Sequence, residues 1–164
     1  MSLQQLYDRF DKCPDAVHDP KSETGRTDGD FGSTAKRLQY LSRTMLEAQH
    51  NNKDLSQSTI TWECMSPNIR VWSETLPVAC TRAQHVSNLE FHHRCQPDYH
   101  TQIVSMSSNV DEIHGRATVF LYLIVLGLVC GHQREAIASF HWERKQGRWL
   151  CIKHVGFRGP AGYP

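Results

Sequence analysis

The sequence predicts one α+β domain, with helices first and a strongly curved, mainly antiparallel sheet after them. Three observations lead there. Apolar residues recur at helical spacing in the first part of the chain. From about residue 101 the pattern changes to alternating and β-branched runs. Those runs are joined by turns too short for crossover helices, so helices segregate from a meander.

Residues 1–32 are polar and rich in turn formers, with no sustained period, and are expected to form a loose arm ahead of a domain spanning 33–164. Ser33 is a suitable N-cap for a first helix, in which Leu38, Leu41 and Met45 share one face. Ser56 can cap a short second helix running to about Met65, and Pro67 stops it. Ile69–Glu74 reads as a strand, after which Pro77 breaks the chain. Thr81 can cap a third helix to about Gln96, with Val86, Leu89 and His93 on its inner side. Four strands follow: 101–107, 116–129, 134–144 and 148–155. The last two are joined by a hairpin turn at Lys145-Gln-Gly147, with glycine where a positive φ is needed.

The 164 residues suffice for one hydrophobic core. Lys plus Arg number 18 against 17 Asp plus Glu, so the basic footprint of a nucleic-acid-binding protein is missing. The longest apolar run, Ala117–Cys130, is too short for a membrane helix. The six cysteines show neither C-x-x-C nor zinc-type spacing. With a polar N-terminus, they read as reduced and mostly buried, and the chain as cytoplasmic. His92, His93 and Cys95 do not converge on a helix, so no metal site is expected there. Nothing points to a cofactor: no nucleotide loop, nucleophile elbow or zincin motif is present.

The long strand is apolar on both faces: Val119, Leu121, Leu123 on one, Phe120, Tyr122, Ile124 on the other. Three helices can cover only one face, so the other is expected to meet a partner, most simply in a homodimer through the outer sheet face. An N-terminal arm folded over it is the alternative.

Four segments, taken in order and spacing, resemble the NTF2-like superfamily. Met65-Ser-Pro-Asn-Ile-Arg-Val-Trp72 looks like the passage from second helix to first strand, and Thr81-Arg-Ala-Gln-His-Val86 is similar to the start of the third helix. Gln96-Pro-Asp-Tyr-His-Thr-Gln-Ile103 resembles the exit from that helix, and Ser139-Phe-His-Trp-Glu-Arg-Lys-Gln-Gly-Arg-Trp149 the late hairpin. The resemblance spans about 33–158 and is nearest to SnoaL-like domains of the polyketide cyclase, ketosteroid isomerase and scytalone dehydratase type. It implies an NTF2-like cone, with three helices packed on the curved sheet around a deep apolar pocket. It also implies a cofactor-independent isomerase, cyclase or dehydratase acting on a hydrophobic polycyclic or polyketide-like small molecule. A non-catalytic ligand-binding or dimerisation module of the same fold is the alternative, and a transport adaptor a weaker one.

Such chemistry needs an acid–base pair inside an apolar cavity. His154 is the first candidate, because Leu150, Ile152 and His154 share a face under strict alternation and the histidine ends an apolar stripe. Glu74, at a strand end, is its possible carboxylate partner, although the family's aspartate has no clean match there. Tyr122 could donate a hydroxyl bond. Tyr40, Trp62, Trp72, Tyr99, His93 and Phe140 are candidates for contacting substrate. For each, core packing or solvent exposure is the competing account. On the strand before the turn, Phe140 and Trp142 are expected inside and His141 outside.

Overall fold

The computed structural model describes residues 32–53, 55, 60–74, 76–128, 131 and 133–161, and the statements below concern these. The arm expected over residues 1–32 lies outside them apart from Gly32, as does Ser56.

Helix α1 spans Thr34–His50 and helix α2 spans Arg82–Cys95. Ser33 caps α1 by accepting from the Lys36 N–H at 3.3 Å. Thr81 caps α2 by accepting from Gln84 N–H at 3.1 Å, and the Gln84 side chain accepts in turn from Cys80 N–H at 2.8 Å. These bonds satisfy N–H groups that have no partner inside the helix. Among the described residues between the helices, one helical turn is present, Ile60–Glu63. The three-helix expectation is therefore corrected to two helices and a turn. The described turn ends at Glu63 and the chain passes into the first strand at Met65.

The strands are β1 (Met65–Ser73), β2 (His100–Asp111), β3 (Arg116–Leu126), β4 (Arg134–Lys145) and β5 (Arg148–Ala161). Their spatial order is β1-β5-β4-β3-β2. The pairs from β2 to β5 are antiparallel, whereas β1 runs parallel to β5, so the sheet is mixed. Gln146 and Gly147 both have positive φ, at 50° and 78°, as a two-residue type I′ hairpin requires.

Register shifts interrupt the ladders, which bends and twists a sheet locally. One of them corrects the reading of the last strand. Phe140 pairs with His154, but Trp142 pairs with Cys151, so β5 carries one extra residue between them. Strict alternation from His154 would have put Leu150 and Ile152 inside. The bulge puts Trp149 and Cys151 inside instead and still leaves His154 on the inner face, 6% exposed.

Both helices cover one face of the sheet, α1 over β2 and β3 and α2 against β1. The core between them includes Leu38, Met45, Leu89, Leu121, Phe140 and Trp142. The Trp142 indole N–H is satisfied there by Ser42 Oγ at 3.1 Å. The side chain of Asn51, just past α1, fastens that helix to β2. Its Oδ1 accepts from Thr101 N–H at 2.8 Å and its Nδ2 donates to Thr101 O at 2.9 Å. On the outer face Val104, Phe120 and Ile137 are 51%, 45% and 50% exposed.

Cys80 is disulfide-bonded, which corrects the expectation of an entirely reduced set. Cys64, Cys95 and Cys151 are thiols, with Cys95 exposed and only Cys151 buried. The cysteines thus no longer argue for a reducing compartment. No described helix is long and apolar enough to cross a membrane.

Candidate functional site

A cavity of about 70 Å³ lies between the inner face of the sheet and the two helices. Its apolar lining includes Leu46, Val71, Leu123, Val125 and Ala138. Into this lining four histidines are set: His50 from the end of α1, His85 and His92 from α2, and His154 from β5. All four are buried.

The imidazoles are neutral. Burial first, and then repulsion from neighbouring histidines, lowers His50, His85 and His154 to about 3. His92 is also lowered, first by burial and then by His93 and the cations Arg158 and Lys53. Each of the four has a buried Nδ1 with no hydrogen-bond partner. His85 is oriented from behind, its Nε2 standing 3.3 Å from Gln49 Oε1. With Nε2–H donating to that carbonyl oxygen, Nδ1 keeps its lone pair. His154 is stacked on Phe140, ring centroids 4.3 Å apart at 12°, and meets His85 edge-on at 6.1 Å. The rings of His92 and His50 lie 4.5 Å and 5.4 Å from that of Tyr99, whose phenol is pushed up to about 12 by burial.

Four buried rings, each missing a partner for a polar atom, are costly to a fold. An unsatisfied buried donor or acceptor costs about 1–3 kcal/mol. Water or a ligand entering the cavity would supply the missing partners. Among the described residues no three His, Cys, Asp or Glu side chains are gathered closely enough to hold a metal ion.

The structure brings His154 and Tyr99 to this cavity and leaves the other sequence candidates outside its lining. Glu74 is exposed past the end of β1, where its Oε2 accepts from Arg158 N–H at 3.2 Å. Tyr122 belongs to the outer parity of β3, since Leu121 and Leu123 on either side point in. There a hydrogen bond with the Glu135 carboxylate raises its pKa. Tyr40 is 50% exposed on the solvent side of α1, and Trp62 is a core residue with no exposure. Trp72 packs on Phe157, ring centroids 5.1 Å apart, while its neighbours Val71 and Ser73 line the cavity. His93 lies one residue beyond the lining position held by His92. Phe140 backs the site through His154 without lining it. His141 is on the outer side, between the hydroxyls of Thr118 at 3.3 Å and Ser139 at 3.2 Å.

Sequence reasoning missed His50, His85, His92, Arg134 and Arg158 among the lining residues. The signal for two of them was present. His85, Leu89 and His92 follow i, i+4, i+7 and with Val86 form the buried face of α2, so Val86 and Leu89 lie inside as expected while His92 takes the place expected of His93. An enclosed apolar cavity of about 150 Å³ accepts benzene; the space here is about 70 Å³ and partly open.

No family model and no curated protein matches the sequence. Solved structures do match. The hexachlorocyclohexane dehydrochlorinase LinA-type3 from Novosphingobium barchaimii LL02 is 13% identical with a TM-score of 0.64, over 76% of this chain and 86% of that one. An NTF2-like protein with a cystatin-like fold from Novosphingobium aromaticivorans is 14% identical with a TM-score of 0.58, over 73% and 77%. The association domain of C. elegans CaMKII is 17% identical with a TM-score of 0.50, over 74% and 92%. At such identities the likeness is one of fold, and this fold holds an enzyme and an assembly domain alike. The architecture of the chain is therefore the NTF2-like one, with the cystatin-like arrangement of helix and sheet.

Proposed function

We propose that the chain takes a small, largely apolar molecule into the cavity and moves a proton on it, without a cofactor, as a SnoaL-like isomerase or lyase would. One observation carries this reading: four buried, neutral imidazoles with unpartnered nitrogens line one apolar cavity. A neutral imidazole can accept a proton at one nitrogen and donate from the other. His85, steadied by Gln49, is the better-oriented base. His154, whose ring meets that of His85 edge-on with centroids 6.1 Å apart, would donate to a developing oxyanion.

The test is exchange of carbon-bound protons. Small ketones such as 2-butanone are incubated with the protein in D₂O, and loss of the α-proton signal is followed by NMR. The wild type should accelerate exchange, and His85→Gln and His154→Gln should each remove the acceleration while leaving the thermal midpoint within a few degrees. Probe binding without any exchange would reject catalysis of this kind and leave a binding module.

That second reading has its own support. Glu135 is the only carboxylate residue along the described lining, and its carboxylate is engaged by Tyr122 on the outer face. No acid is thus placed to stabilise an imidazolium. A homodimer through the outer sheet face belongs to either reading. It is supported by the exposure of Val104, Phe120 and Ile137.

A further inference from the structure

Two arginines on the sheet, Arg134 and Arg158, line the cavity without an ion pair among the described residues. Arg134 begins β4, and Arg158 lies late in β5; both line the cavity. Arg134 pairs across the ladder with the inward Val125, and Arg158 with Ala136, which packs against the core. Both therefore share the face that carries the histidines. The Arg158 guanidinium is near enough to act on both His92 and Tyr99. Arg134 has its Nε buried with no hydrogen-bond partner. Neither arginine has an ion pair among the described residues. Glu135 is turned to Tyr122, and Glu74 meets Arg158 only through the backbone N–H.

Two arginines lining one small apolar cavity, Arg158 partly in solvent, with no described carboxylate paired to either guanidinium, leave positive charge that a ligand can neutralise. The histidines add no negative charge to cancel it. Leu46, Val71, Leu123 and Val125 continue the same lining and accept an apolar body. We infer that the ligand is a small monocarboxylate, its carboxylate held by Arg134 and Arg158 and its short apolar chain lying among the histidines. This rests on the small-molecule reading of the cavity and names the class of molecule it takes. The volume of about 70 Å³ favours a short chain over an aromatic ring.

The test uses titration calorimetry on the full chain with butanoate, benzoate, butanamide and inorganic phosphate. Butanoate should bind most tightly. Butanamide has the same shape without the charge, and phosphate has charge without the apolar body. Each should bind at least roughly tenfold more weakly, as expected for loss of a charge-assisted bond or of the buried chain. Arg134→Gln and Arg158→Gln should each weaken butanoate by roughly ten- to a hundredfold and leave butanamide unchanged. Arg94→Gln, an exposed arginine on α2, should change neither. The comparison of butanoate with butanamide needs no variant, so it holds even where a substitution impairs folding. If butanamide or phosphate binds as tightly as butanoate, or the arginine variants bind butanoate normally, the carboxylate assignment fails. Butanamide binding would then still support the cavity as a small-molecule site. If no probe binds, both the assignment and the reading beneath it fall.

Discussion

Lowering the pH from 7 to 5 should remove a large share of this fold's stability before any carboxylate is involved. His50, His85 and His154 are wholly buried and sit at about 3, against 6.5 in an unfolded chain. Below pH 6.5 the unfolded chain takes up a proton at each of these positions and the folded chain does not. Stability is therefore complete above that value, and it falls with pH until about 3, where the folded rings protonate as well. Integrated to pH 5, the loss is about 2 kcal/mol for each histidine, or about 6 kcal/mol for the three. Domains of this size are stable by about 5–15 kcal/mol in all. Urea unfolding followed by tryptophan fluorescence at pH 7, 6 and 5 measures this directly, with a constant m-value confirming that the folded state itself is unchanged. His154→Leu removes one of the protons and should lower the loss at pH 5 by about 2 kcal/mol. At pH 7 the same variant should be as stable as the wild type or more so, because one unsatisfied polar atom is gone. Stability that stays flat within about 1 kcal/mol from pH 7 to pH 5 would refute the reasoning, since it requires imidazoles that protonate in the folded state.

Three further outcomes are expected. Asn51→Ala frees two backbone groups of Thr101 and should destabilise by about 1–3 kcal/mol, read as a shift in urea midpoint without a change in m. Gly127→Ala should destabilise by about 3 kcal/mol or more in the same assay. At φ +73° its Cβ would lie 1.8 Å from the Asp98 carbonyl oxygen, and no side-chain movement relieves a backbone clash. Phe120→Glu should convert a dimer to a monomer in light scattering with the core unaffected; a wild type monomeric at all concentrations would dismiss the outer-face dimer.

How far the sequence foretold the site depended on whether a strand kept its period. In β3 and β4 alternation is unbroken, and Phe140 and Trp142 were correctly expected inside with His141 outside. β5 contains a bulge that no residue type announces, so Leu150 and Ile152 were assigned to the wrong face although His154 was not. On α2 Val86 and Leu89 were correctly expected inside, but His93 was chosen where His85 and His92 are buried, because histidine is an ambiguous residue in an apolar stripe. That error concealed most of the cavity's polar lining. Tyr122 and Glu74 were plausible by type and wrong by position, since strand parity turns the first outward and the end of β1 leaves the second in solvent. The arginines drew no attention because they stand at strand ends, where charged residues are ordinary in any sheet. Only the ladder register places them on the cavity side.

The extra residue between Cys151 and Lys153 divides β5 into two parts with separate duties. Up to Cys151 the strand supplies packing, through Trp149 and Cys151. From His154 onward it supplies the cavity, through His154, Gly156 and Arg158. Removing one residue from the bulge, at Ile152 or Lys153, would restore a regular ladder and keep both halves facing inward. Adding one just ahead of His154 would rotate the second half's side chains to the opposite face, carrying His154 and Arg158 away from the cavity without changing any residue's identity. What this cavity presents to a ligand is thus set by the length of a strand segment as much as by its chemistry.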